Sequence, residues 1–169
     1  MAYRTKADFF VGKKCLLCKG PSCVQMAPNY GTDIMAFNTV KVLTTHHWNT
    51  GLFSFSVERP TSFRFVSGQF VMLGLMVNGK PLLRAYSIVS PFWEESLEFL
   101  SIIIPDGPLT SHLYKIKPGD EILLGEKPTG TLTMDALIPG KRLHMIGTGT
   151  GVAPWISIIR DPGVYERFE

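Results

Sequence analysis

Between Phe37 and Gly125 the chain breaks into short runs of alternating apolar and polar residues, separated by Gly, Pro and Asn-Gly punctuation. That rhythm constrains the fold more than any other feature. In "GLFSFSVE", Phe53, Phe55 and Val57 alternate with Ser54, Ser56 and Glu58, a period of two that gives a strand one dry face and one wet one. "TVKVLT" sets Val40 and Val42 against Lys41, and "QFVMLGLMV" is a longer apolar run. "NGK" marks a tight hairpin, because Asn-Gly accepts the positive φ that such turns need. "RAYSIVS", "LEFLSIII" and "PGDEILLG" add further strands, and "TGTLTM" is expected to add one more. Five to six antiparallel strands with turns of this kind imply a mainly β chain and a small barrel.

Two segments depart from the rhythm. In "PDGPLTSHLYKIKPGD", Leu109, Leu113 and Ile116 recur at helical spacing, with Pro108 at the first helical position and Gly119 beyond the end, which predicts one short helix. "KRLHMIGTGTGVAPWISIIRD" reads as an apolar strand, a glycine-rich bend and an apolar helix, the opening of a parallel α/β unit.

At 169 residues, with 45% hydrophobic and 18% charged residues, the composition is that of an ordinary globular domain. A net charge of +3 suits a phosphate-rich ligand or an acidic partner and is too small to argue for nucleic acid. No apolar run approaches the roughly 20 residues of a membrane span. The start, "MAYRTKADFFVGKK", is read as neither a secretory signal nor a transit peptide. Residues 1–34 are expected to be an extension, either non-native or serving docking, or else to reflect a misassigned start, since Met35 opens the globular pattern. They hold Cys15, Cys18 and Cys23 in "CLLCKGPSC", a C-x2-C pair plus one; no fourth ligand stands nearby, so incidental thiols in a reducing compartment are favoured over a metal or redox site.

"RAYS" raises a chemical question. A guanidinium, an aromatic face and a hydroxyl on adjacent positions are poor choices for an ordinary core strand. Arg84 carries a rigid donor fork that fits two phosphate oxygens. Tyr86 offers a ring to stack on a flat heterocycle, and Ser87 a hydroxyl to reach a ring nitrogen. The helix start "GPLTSHL" adds amide donors, Thr110 and Ser111 hydroxyls, and Gly107, which permits close backbone approach. The plainer alternatives are a surface arginine, a core tyrosine and a capped helix. Together the two segments favour one anionic, flat ligand. His46, His47, His112 and His144 are read as surface or packing residues, and Trp93 and Trp155 as packing.

In this order, "RAYS", "LEFLSIIIPDGPLTSHL", "KPTGTL" and "GTGTGVAPWISIIRDP" resemble the bacterial-type ferredoxin–NADP(+) reductases, or flavodoxin reductases, from Met35 to Glu169, with "GQFVM" (Gly68–Met72) fitting as well. The resemblance implies a six-stranded antiparallel Greek-key FAD-binding barrel with one short capping helix over 35–138, then the first strand and helix of an α/β NADP-binding domain over 139–169. It implies electron transfer between NADPH and ferredoxin or flavodoxin through FAD. Arg84 would grip the FAD pyrophosphate, with Ala85 beside it; Tyr86 would stack on the isoalloxazine and Ser87 lie near flavin N5, the two forming the catalytic pair. Gly107, Leu109 and Thr110 would complete the phosphate cradle, and Thr129 and Gly130 lie in a loop that is near the cofactor in relatives. Ile103, where many relatives carry lysine, would sit on the adenosine side. Thr148, Gly149, Thr150 and Gly151 would face NADP(H), with Thr150 also near the flavin. A bacterial cytoplasm is implied, an organelle matrix being the alternative.

The 28 residues from Arg142 to Glu169 fall short of the roughly 30 or more of one βαβ crossover. The apolar residues Val152, Trp155, Ile156 and Ile159 are therefore expected to be partly exposed or docked, on a second chain if one completes the domain. The competing expectations are a truncated, non-catalytic flavin-binding or structural subunit, and a domain without flavin, against which the intact Arg84, Tyr86, Ser87 and Thr110 argue.

Overall fold

The computed structural model describes residues 36–138 and 140–168. The three cysteines and the expected extension lie outside those residues. Six strands, β1 (Phe37–Asn49), β2 (Leu52–Glu58), β3 (Phe70–Val77), β4 (Lys80–Ser87), β5 (Ser96–Ile102) and β6 (Glu121–Gly125), form one sheet in the order β4-β3-β6-β1-β2-β5. Every strand pairing is antiparallel. The outermost strands meet through a single bridge, Ile88 to Phe99, so the sheet curls back on itself with an open seam between β4 and β5.

The alternation seen in the sequence sets this register. Phe53, Phe55 and Val57 are fully buried, as are Leu73, Leu97 and Phe99 on neighbouring strands, and they form one core with Val40, Val42 and Ile122. The β3–β4 hairpin turns at Asn78 (φ 51°) and Gly79 (φ 74°), the positive-φ pair expected of Asn-Gly. α1 (Thr110–Leu113) is the short helix, one turn long, with Leu109, Leu113 and Ile116 buried in the barrel core.

Two expectations fail. "TGTLTM" is no strand: only Thr129 pairs, with Phe70, after which Gly130 (φ 120°) turns the chain toward a 3-10 turn at Met134–Ala136. Nor is Arg142–Gly147 a strand. A strand is held by its neighbours' hydrogen bonds, and this run has no ladder partner among the described residues. Ile146 is 85% exposed.

The helix after the glycine-rich bend does form, as α2 (Ala153–Ile159), followed by α3 (Gly163–Arg167). Its apolar side is only partly covered: Val152, Trp155 and Ile156 are half-buried and Ile159 exposed. Ile158, Val164 and Phe168 instead make a small second core with Leu132, Met134, Leu137 and Leu143, and Arg167 donates to the carbonyls of Met134 and Leu137 at 2.6 and 2.8 Å. The segment leaving the barrel thus supplies a cover that strand periodicity does not reveal.

Candidate functional site

The seam between β4 and β5 opens into a cavity of about 310 Å³, lined on one side by Ala85, Tyr86 and Ser87, on the other by Leu100, Ser101 and Ile102. Thr110 of α1 lies at its edge, and Thr150, Gly151 and Ala153 form the remaining wall. That volume is at the lower end of the ~300–1,000 Å³ typical of small-molecule sites. Three segments distant in sequence therefore meet here: "RAYS", the start of α1, and the glycine-rich bend.

Tyr86 is the aromatic wall. Its ring stands edge-on to Phe55 (6.5 Å, 71°) and Phe99 (6.4 Å, 85°), which hold its plane. Its hydroxyl is 3.2 Å from the Ser101 hydroxyl. Burial raises the Tyr86 phenol above its ordinary pKa; the Ser101 hydrogen bond and the Arg84 charge pull the other way. The phenol is neutral at physiological pH, which leaves it a hydrogen-bonded, flat surface.

Arg84 shares a face of β4 with Tyr86, two residues away, outside the cavity lining. It is exposed, and among the described residues its only hydrogen bond is to the neighbouring Leu83 carbonyl, at 2.8 Å. No carboxylate among those residues pairs with it. A guanidinium fork beside a cavity mouth, with no acidic partner, suits an anionic group on the ligand.

In the turn before α1, some donors of the expected phosphate cradle are already engaged. The Gly107 amide donates to the Ile104 carbonyl at 3.0 Å, and the Thr110 hydroxyl donates to the same carbonyl at 3.0 Å. The amides of Ser111 and His112 are likewise taken, by Gly107 and Leu109 carbonyls. A Cβ on Gly107 would collide with the Thr110 hydroxyl in its present position, so a larger residue there would displace that hydroxyl. A one-turn helix adds little dipole. At this mouth Arg84 is the guanidinium without an acidic partner among the described residues, and the Thr110 hydroxyl is already donated to Ile104.

Of the other expected residues, Leu109 is buried in the core and Ile103 is half-buried beside it, its amide bound to the Gly51 carbonyl at 2.8 Å. Thr129 and Gly130 lie across Phe70 from Ser87, because Phe70 pairs with both Thr129 and Ser87. Thr148 and Gly149 (φ 54°) form the exposed lip of the bend, outside the cavity lining. Sequence reasoning missed Ser101 and Ala153. Ser101 had a signal: it follows Leu97 and Phe99 in the inward alternation of β5, where a hydroxyl is out of place.

The antiparallel sheet thus leaves an open seam with an aromatic wall and paired hydroxyls, an exposed arginine at its mouth and a glycine-rich bend along one side. Residues 38–134, more than half of the chain, match the family described as oxidoreductase FAD-binding domain, and the chain belongs to it. It is 59% identical over 131 residues to the ferredoxin–NADP reductase of Pseudomonas aeruginosa, covering 78% of this chain and 51% of that protein. The ferredoxin–NADP reductase of Azotobacter vinelandii is 59% identical over 132 residues, with the same coverage. Among solved structures, a ferredoxin NADP+ reductase from Neisseria gonorrhoeae with bound FAD and NADP superposes with a TM-score of 0.75 at 39% identity, over 78% of this chain and 54% of that one. The chain thus spans about half the length of these relatives. No described helix is long and apolar enough to cross a membrane, and no group of three or more potential metal ligands occurs among the described residues.

Proposed function

We propose that this chain is the flavin-binding half of a ferredoxin–NADP reductase, taking FAD at the seam cavity. The observation that carries this reading is the meeting of Ala85–Ser87, Thr110 and Thr150–Ala153 around one opening, with a free guanidinium at its mouth. FAD, when bound, supplies a ring that accepts a hydride and releases electrons singly. The protein's part is to bind and orient. Arg84 would hold the pyrophosphate; Tyr86, held by Phe55, Phe99 and Ser101, would present its ring to the isoalloxazine; Ser87 would offer a hydroxyl to N5. Thr148 to Gly151 form the lip toward which nicotinamide would approach, so that NADP(H) and flavin come within reacting distance. The one-electron partner is ferredoxin or flavodoxin, the setting a bacterial cytoplasm or organelle matrix, and the site residues are those named from the resemblance.

A second reading, a flavin-binding subunit that does not itself turn over NADPH, is favoured by one observation: Arg142–Gly147 has no strand beside it, so no nucleotide-binding sheet forms among the described residues. A second chain completing that sheet would reconcile the two. An anaerobic NADPH titration of the FAD-loaded chain, followed by visible absorbance, decides between them. Stoichiometric bleaching supports the reductase. A flavin reduced by dithionite and untouched by NADPH supports the subunit. Failure to bind FAD at all overturns both.

A further inference from the structure

The far wall of the cavity belongs to α2, a seven-residue helix, and the way that helix is attached is unusual. Its core cluster, centred on Ile158, is separate from the barrel core. Apolar interlocking alone does not fix its height above the barrel. A polar joint does. Ser157 is fully buried; its hydroxyl donates to the Ser90 carbonyl at 2.8 Å and accepts from the Gly68 amide at 3.3 Å.

The two partners lie at the ends of a paired hairpin, β3 and β4, of which β4 lines the cavity. Ser90 stands three residues beyond Ser87, and Gly68 two residues before Phe70, which is the register partner of Ser87. One hydroxyl therefore ties α2 to the end of β4, which lines the cavity, and to the start of β3, its antiparallel neighbour. The joint has no slack: Gly68 has φ +98°, and a Cβ there would collide with the Leu132 carbonyl and press on Ile158 Cδ1 at 3.0 Å. An outer pair braces it. Arg160 binds Glu94 and, at 3.3 Å, Glu98, and its carbonyl accepts from the Trp93 indole at 3.3 Å. Ala153, one turn before Ser157 on the same helix face, lines the cavity.

We propose that Ser157 is a positioning residue: through Gly68 and Ser90 it sets the distance between the Thr150–Ala153 wall and the Ala85–Ser87 wall, and so the fit of the ligand between them. The consequence for FAD rests on the flavin reading of the cavity; the joint itself does not. Ser157→Ala leaves a buried amide and a buried carbonyl without their partner, and the wall slackens.

The test pairs amide hydrogen exchange of the cofactor-free chain with FAD titration, for wild type and Ser157→Ala. The expected result is faster exchange at residues 148–153 with the β2 amides unchanged, and FAD affinity lowered on the order of tenfold, the scale of one buried hydrogen bond. Equal acceleration across β2 would show general destabilisation and overturn the proposal, as would unchanged exchange at 148–153. Unchanged FAD affinity with faster local exchange would sink its functional half. If wild type binds no FAD, the flavin reading fails and the exchange arm still decides the joint. Should Ser157→Ala not fold, Arg160→Gln, which removes only the outer brace, must accelerate 148–153 selectively; if it does not, the proposal falls.

Discussion

Replacing Arg84 by alanine separates ligand binding from folding more cleanly than any other change at this site. The side chain is exposed, touches no carboxylate among the described residues, and donates only to the carbonyl next to it. Surface changes of this kind usually shift stability by no more than about 0.5 kcal/mol. Toward a bound pyrophosphate the same group would make a pair of charge-assisted hydrogen bonds, each worth about 1.5–3 kcal/mol in a sheltered setting. At an open mouth, solvent screening removes roughly half of that, leaving about 1.5–3 kcal/mol. That is about a ten- to hundredfold weaker FAD complex. The assay is a fluorescence titration of the cofactor-free chain with FAD, at low and high salt, beside its thermal unfolding without ligand. Wild-type affinity should fall with salt and the alanine variant's should barely respond, since the screened charge is gone. Arg84→Lys, which keeps the charge and loses the fork, should fall between. Affinity within threefold of wild type would refute the phosphate role. A large drop in unfolding temperature of the free variant would refute the premise that Arg84 does nothing for the fold.

Other perturbations test the scaffold. Gly68→Ala forces a side chain into left-handed backbone and against the Leu132 carbonyl, and should cost about 2–4 kcal/mol, read as a lower denaturation midpoint at unchanged slope. Gly74→Ala in β3 places a Cβ on the Leu82 carbonyl and should destabilise the β3–β4 hairpin, with loss of protection at its amides in hydrogen exchange. Tyr86→Phe alters alkaline stability. Burial raises the folded pKa of Tyr86 above the ordinary 10.0, so the unfolded chain releases its proton first; stability is full below about pH 10 and declines as pH rises above it. The phenylalanine variant should lose that part of the decline in pH-dependent unfolding, and an identical alkaline profile would contradict the burial effect.

The barrel was legible because each strand carries its own record of which side is dry. Period-2 alternation located Phe53, Phe55 and Val57 on the dry face, and Asn78-Gly79 located a hairpin, since both are local signals. The fate of 129–147 was not legible. Thr131 to Met134 and Leu143 to Ile146 have strand-like composition, but a strand exists only where a neighbouring edge is free to pair, and composition says nothing of that. Gly107 carries a second role that a glycine before a helix does not announce: it makes room for the Thr110 hydroxyl. Ser157 and Arg160 carried no local signal, because their partners lie 62 to 89 residues away in the chain.

The position of the cavity follows from the topology. A six-stranded sheet that curls on itself leaves its two edge strands facing each other, and here they share one bridge, Ile88 to Phe99. On either side of that bridge, edge backbone would face water or invite another strand. α1 and the bend before α2 cover this seam, and the cavity lies where their cover is incomplete. A ligand seated there meets the residues of two edges at once: the aromatic and hydroxyl of β4, and Leu100 to Ile102 of β5. A flat ring with polar margins satisfies such a place better than an aliphatic ligand, whose burial would leave Ser87, Ser101 and Thr110 without partners for their remaining bonding capacity. The placement of Tyr86 and Ser87 on the edge strand is therefore what turns a closure defect of the barrel into a cofactor site.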